Sequence, residues 1–271
     1  MRSNVILAVV IIGLSSALFA QEPTLPRRLG GANGPPDADK ALASRPVPKL
    51  ADGTVDLSGV WTDGGDRFVA PGTGLTQAQL EASLQPWALA KMKARNDADN
   101  PYYLCMPGGP FRLSGGFGWR FVQTPTVNAK YIFQLQEGNS HSFRQIFMDG
   151  RKHPEDPTPT WYGHSIGHWE GDTLVIDTIG LNDKFWIDRT GFPQTEQLHI
   201  VERWTRFNYT TMRRVVTLED KGAFTKPITA TFEAHLAQPG SEIMEYFCIE
   251  NEQFGARHIT DPTVNPVGPV K

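Results

Sequence analysis

From Trp119 onward, apolar and polar residues follow one another in short runs of strand length, at 120–125, 130–136, 142–148, 163–170, 173–179, 198–207, 210–219, 227–236 and 242–250. In 229–236 the alternation is regular: Thr229, Thr231, Glu233 and His235 fall on one face and Ala230, Phe232, Ala234 and Leu236 on the other. That period of two is the mark of a strand with one buried and one wetter face. Gly171-Asp172, between Glu170 and Thr173, has the composition of a two-residue hairpin turn. Consecutive strands of this kind form a meander, and closing it into a barrel removes the exposed edges. The expected fold is therefore mainly β: an antiparallel meander closing into a lipocalin-like barrel, with a short N-terminal helical segment.

The helical segment lies before the meander. After a first short strand at 56–62, Thr76 is placed to cap a helix over 77–84, and Pro86 to start a second one running to about Ala94. Residues 21–54 are rich in Pro, Gly, Ala and charge and read as an arm, while 261–271 read as a tail. One barrel domain over 55–260, with its helical insert near 76–95, accounts for the rest.

The first 20 residues have a different pattern. Arg2, the apolar run 5–12, and small Ala17 and Ala20 followed by Gln21-Glu22-Pro23 read as a secretory signal peptide, cleaved after Ala20 or Ala17. The competing reading, a membrane anchor, needs a longer apolar run and a basic stop, so the expected mature protein is periplasmic or secreted, without stable membrane insertion. Its 25 basic and 29 acidic residues give a formal charge of −4, which argues against a nucleic-acid partner. A small apolar or aromatic molecule suits such a surface better. In an oxidising compartment the two cysteines, Cys105 and Cys248, invite one disulfide; two buried free thiols are the alternative.

In a strict meander, successive connections alternate between the barrel's ends. That places the short turns 137–141, 171–172, 207–209 and 237–241 at one end and the long connections 149–162, 180–197 and 220–226 at the other. Long loops in a compact domain are commonly functional, so a binding mouth is expected under 151–162 and 180–197.

Gly163-His164-Ser165-Ile166-Gly167 matches the Gly-x-Ser-x-Gly pattern of serine-hydrolase elbows, but such an elbow leads into a helix and this segment leads into a hairpin. Ser165 is then a strand or pocket hydroxyl. His164 and His168 share a strand face at a spacing wide for joint ligation; a zinc site would need a third ligand such as His153 or His199, and no compact ligand motif is present. Neither a metal nor any other cofactor is expected.

The densest polar cluster is Asp183, Asp188, Arg189, Glu196, His199, Glu202 and Arg203. If the strand face holding His199, Val201 and Arg203 lines the cavity, His199 could act as acid or base. Asp188 or Glu196 would then fix its tautomer and Arg203 would steady an oxyanion, with His164 beside them. The bland alternative is a salt-bridged rim. Trp119, Trp161, Tyr162 and Trp186 could stack on a planar ligand, or could simply roof the barrel.

The run 160–180, with its Gly163-His164-Ser165-Ile166-Gly167-His168-Trp169-Glu170-Gly171-Asp172-Thr173-Leu174-Val175-Ile176-Asp177-Thr178-Ile179-Gly180, resembles a segment in a large group of exported bacterial proteins, mostly uncharacterised. The likeness continues through 182–183, 186–191 and 196–203 and implies no particular activity. Gly59-Val60-Trp61 is similar to the first-strand motif of the lipocalin and calycin barrels, which implies a barrel with a hydrophobic cavity. Two functions follow as expectations: an enzyme carrying out metal-free acid–base chemistry of lyase, hydrolase or isomerase type, or a non-catalytic carrier of a hydrophobic small molecule.

Overall fold

A computed structural model describes residues 39–63, 67–124, 131–138 and 142–248. The expected signal segment 1–20, most of the arm and the tail 261–271 lie outside the described residues. Within the arm, Asp39–Ala43 forms α1, and Lys49 pairs with Asp172 of the Gly171-Asp172 turn at 2.6 Å.

The strands β1 (Trp61–Asp63), β2 (Trp119–Gln123), β3 (Tyr131–Gln136), β4 (Phe143–Phe147), β5 (His164–Glu170), β6 (Thr173–Ile179), β7 (His199–Arg206), β8 (Thr211–Glu219) and β9 (Ile228–Leu236) form a closed barrel in sequence order. The Gly171-Asp172 turn sets the β5–β6 register, with Glu170 opposite Thr173 and His164 opposite Ile179, and Gly171 takes the positive φ (59°) such a turn requires.

Three features depart from the expected meander. The segment 242–250 adds no strand among its described residues; the barrel is closed instead by the three-residue β1, whose Trp61 pairs with Leu236 of β9 and with Trp119 of β2. Secondly, β4 and β5 pair in parallel, Ile146 with Ser165 and Phe147 with Ile166. A parallel neighbour needs a crossover connection, so 148–163 travels from one end of the barrel to the other along its outside. It arrives beside β6, where Thr160 bridges Leu181. Thirdly, because of that crossover the β3–β4 connection emerges at the same end as the long loops 180–198 and 220–227, not at the opposite one.

That end is also capped by the insert between β1 and β2. Thr76 caps α2 (Gln77–Ala82) through a reciprocal box with Gln79, and α3 (Pro86–Ala94) starts on Pro86. A single turn, α4 (Gly109–Arg112), carries Phe111 into the barrel mouth. Phe68, Leu80, Ala88, Phe111, Phe185 and Phe192 pack there on Ile200, Val216, Leu218 and Phe232, so the mouth is filled by the protein's own side chains. A second apolar cluster fills the other half with Trp61, Trp119, Phe121, Ile146, Leu174, Ile176 and Trp204.

Between the two clusters lies a layer of buried charge. Glu202 receives Arg144 Nη1 at 2.5 Å and Arg214 Nε at 3.0 Å, and all three side chains are at most 1% exposed. Arg214 also donates to the Phe111 carbonyl and to Ser114 Oγ, so the ion layer ties the capping insert to the barrel. Burial pushes the Glu202 carboxyl up, but the charges and hydrogen bonds of Arg144 and Arg214 outweigh it and hold it below its ordinary value. Cys105, just after the 3₁₀ turn Pro101–Leu104, and Cys248 are disulfide-bonded, with Cα atoms 5.6 Å apart.

Candidate functional site

The inner face of β7 is Ile200, Glu202, Trp204 and Arg206, all buried; His199, Val201, Arg203 and Thr205 look outward. The expected site inside the mouth, built from His199, Arg203, Asp188 and Glu196, is therefore not assembled. The physical reason is Glu202: its two arginine partners make a carboxylate tolerable in the core, and the strand turns its other face to solvent.

Each of the other expected residues has a definite place. Arg203 pairs with Glu170 on the outer wall at 2.6 Å, and this arginine with His168 takes the Glu170 carboxyl down to about 2. Asp188 is fully buried; it accepts from Phe68 N, Thr190 N and Thr190 Oγ1 at 2.9, 2.8 and 2.5 Å and so joins the insert to the 180–198 loop. Burial raises its pKa, against the hydrogen bonds of Thr190 and Phe68. Glu196 is exposed on the loop. Ser165 is buried inside the barrel and hydrogen-bonds Thr178 at 2.9 Å, in a strand and with no helix after it. The aromatic set does not gather around one ligand space: Trp119 is core, Trp161 packs on the mouth cluster, Tyr162 is half-buried and Trp186 lies under the Arg95 guanidinium.

His164 and His199 are nevertheless joined, on the outside of the barrel. The crossover lays His153 over β5 and β6, with His153 Nδ1 2.8 Å from His164 Nδ1 and His153 Nε2 3.0 Å from Asp177 Oδ1. The same Asp177 oxygen lies 2.9 Å from His199 Nε2, and His199 Nδ1 lies 3.4 Å from Glu219 Oε2 on β8. The result is one chain, His164–His153–Asp177–His199–Glu219, across the ends of β5 to β8. Gly163 makes the bend into β5 possible: its φ is +65°, and a Cβ there would stand 2.4 Å from the Ile179 carbonyl oxygen.

Proton positions follow from what each atom can do. Ionised carboxylates only accept, so the position of His199 between Asp177 and Glu219 favours its protonated form, which can donate to both. Its pKa is raised accordingly, chiefly by the Asp177 hydrogen bond against partial burial. For Asp177, burial acts upward, but the His199 and His153 contacts prevail and its pKa is lowered. His153 donates from Nε2 to Asp177, which lets its Nδ1 accept from His164 Nδ1–H and leaves the His164 lone pair on Nε2. Burial, then the neighbouring His153 and Arg151, lower the His164 pKa and keep this ring neutral near neutral pH.

An aromatic track leads to His164. Its ring stacks on Phe147 (centroids 5.0 Å, planes 19° apart), and Phe147, Tyr131, Phe133 and Phe143 follow at 5.6, 6.0 and 6.0 Å along the outer wall. The Arg151 guanidinium sits 3.9 Å from the Phe147 ring centre. At the far end of the track, Phe143 lines a cavity of about 550 Å³ with Arg120, Leu135, Gln136, Ser142 and residues 240–243. No group of three or more His, Cys, Asp or Glu among the described residues has the arrangement of a metal site.

Sequence reasoning missed Asp177 and Glu219. Asp177 was legible in principle, because the 171–172 turn pairs it with Ile166 and so puts it on the face of His164; Glu219 follows only once β7 and β8 are in register, where it faces His199. The chain matches no known family model, no curated protein and no solved structure.

Proposed function

We propose that this is an exported enzyme that performs metal-free acid–base chemistry on a small aromatic or apolar molecule, at the outer wall of its barrel and not in its interior. The observation that carries the reading is the sharing of Asp177 Oδ1 by His153 and His199, with His164 hydrogen-bonded behind them. A neutral imidazole backed by a second imidazole and a carboxylate is a general base whose acquired proton charge can be spread along the chain. His164 Nε2 takes the substrate proton, His164 Nδ1–H shifts to His153, and Asp177 stabilises the imidazolium that forms. Arg151, paired through Nε and Nη2 with Asp149 and seated on the Phe147 ring, is the guanidinium placed to steady an oxyanion. The aromatic track gives a planar substrate its stacking surface. Export is supported by the signal-like leader and by a cysteine pair at bonding distance. Kinship with exported bacterial proteins is supported by the segment 160–180, which here forms the hairpin carrying His164 and Asp177.

The test is turnover of a panel of aromatic ethers, esters and secondary alcohols by the wild type, His164→Gln and Asp177→Asn. Both variants should lose about 10²- to 10⁴-fold in kcat/KM while still binding the substrate. Wild-type kcat/KM should rise with pH through a value below 6.5, as His164 loses its proton. Saturable binding of panel members without turnover of any would overturn the enzyme reading in favour of a carrier using the same track.

A further inference from the structure

Inside the barrel, four adjacent side chains hold polar atoms that the fold leaves without partners. Gln134 on β3 stands opposite Arg144 on β4 and Phe121 on β2, and Trp119 lies two residues before Phe121 on the same inner face. From across the barrel Trp204 meets them, its ring centre 5.0 Å from Trp119 and 5.3 Å from Phe121. Gln134, Trp119, Trp204 and Arg144 are all buried. Among the described residues, both indole N–H groups, both ends of the Gln134 amide and Nε and Nη2 of Arg144 have no hydrogen-bond partner. Trp61, in the same cluster, shows the ordinary solution by donating to the Leu57 carbonyl at 2.9 Å.

The pattern on Arg144 is specific. Nη1 is committed to Glu202, whereas Nε and Nη2, which form one edge of the guanidinium, are both free. That edge is a two-pronged donor whose spacing matches the two oxygens of a planar oxyanion. A buried polar group left unmatched destabilises the fold, so one that leaves a fork, two indoles and an amide together gains by admitting a guest that accepts from them.

We propose that the barrel interior binds a small planar oxyanion, of the carboxylate class, on the free edge of Arg144. The indole N–H groups of Trp119 and Trp204 and the Gln134 amide complete its shell, and Phe121 walls it. This site is separate from the outer histidine chain and does not depend on the activity proposed for it.

The probe is formate, titrated into the full chain at constant ionic strength with methanesulfonate as the balancing salt, while the indole N–H resonances of the seven tryptophans are followed by NMR. The Trp119 and Trp204 signals should shift saturably and the others should not. Arg144→Lys keeps a positive charge for Glu202 but lacks the fork, and should weaken formate binding about tenfold or more. Trp204→Phe should weaken it while leaving the Trp119 shift in place. Neutral formamide, of the same size without the charge, is the control for uptake that does not depend on an anion. Equal saturable shifts with formamide, no saturable shift with formate, or unaltered affinity in Arg144→Lys would each overturn the proposal; the wild-type titration decides it even if the variants do not fold.

Discussion

Replacing Glu202 with Gln keeps the shape of the side chain and removes its charge from the centre of the barrel. At an effective dielectric of about 20, each close carboxylate–guanidinium pair attracts by about 4 kcal/mol, so the two contacts to Arg144 and Arg214 are worth about 8 kcal/mol before desolvation. Freeing the fold from burying one carboxylate returns several kcal/mol of that. The two guanidiniums, however, stay buried and lose their shared counter-charge. The net loss expected for Glu202→Gln is about 3–5 kcal/mol, a large share of the stability of an ordinary domain. Urea unfolding followed by tryptophan fluorescence reads it directly, since Trp204 lies under the Arg214 guanidinium. The sign of the pH dependence is fixed as well. Because the folded-state pKa of Glu202 is lowered, its contribution is present above the ordinary 4.5 and disappears as pH falls through the folded value. The deficit of the variant should therefore shrink in acid. Replacing the ion layer as a whole, with Arg144→Met, Glu202→Leu and Arg214→Met together, should recover most of the loss, short of the bonds Arg214 makes to Phe111 O and Ser114. A Glu202→Gln deficit below about 1 kcal/mol at pH 7, or one that does not change down to pH 3, would refute this account of the core.

Two further outcomes are expected. His199 has a raised pKa, so its stabilising pair with Asp177 is complete below the ordinary 6.5 and is lost as pH rises through the folded value, while the lowered Asp177 loses its share only below 3.8; the stability gap between wild type and His199→Gln, under about 1 kcal/mol for so exposed a pair, should be widest between those values and close above them. Urea midpoints taken from pH 4 to 9 measure it, and a gap that widens with alkali would contradict the pairing. Reduction of Cys105–Cys248, or their joint replacement by Ser, opens a loop of sequence separation 143 and should cost up to about 5 kcal/mol by chain entropy; an unchanged thermal midpoint after reduction would show that the bridge contributes nothing to stability.

The strands β2 to β9 were legible because each is a short apolar or alternating run bounded by turn or loop residues, and the β5–β6 register because Gly171-Asp172 can do little else. Closure by Trp61–Asp63 was not, since three residues are too few to show a period and β9 alone does not say which segment will take its edge. Which face of β7 is buried is hidden in the sequence for a different reason. Both faces carry ionisable groups, and the buried one becomes acceptable only through Arg144 and Arg214, which come from β4 and β8. Two of the expected site residues, His164 and His199, do belong to one cluster, but the crossover that connects them is visible only once β4 and β5 are seen to run in the same direction.

That shared direction has an arithmetical root. Around a closed ring, strands can alternate up and down without a fault only if their number is even; a ring of nine must contain a place where two neighbours run the same way. Here the fault falls between β4 and β5, and the chain can repair it only by a strap running the length of the wall. His153 rides on that strap. An eight- or ten-stranded relative with strictly alternating strands would need no strap, and nothing would then carry an imidazole across to bridge His164 and Asp177. The histidine chain is in this sense a product of odd parity, and strand number should separate relatives able to build it from those that cannot.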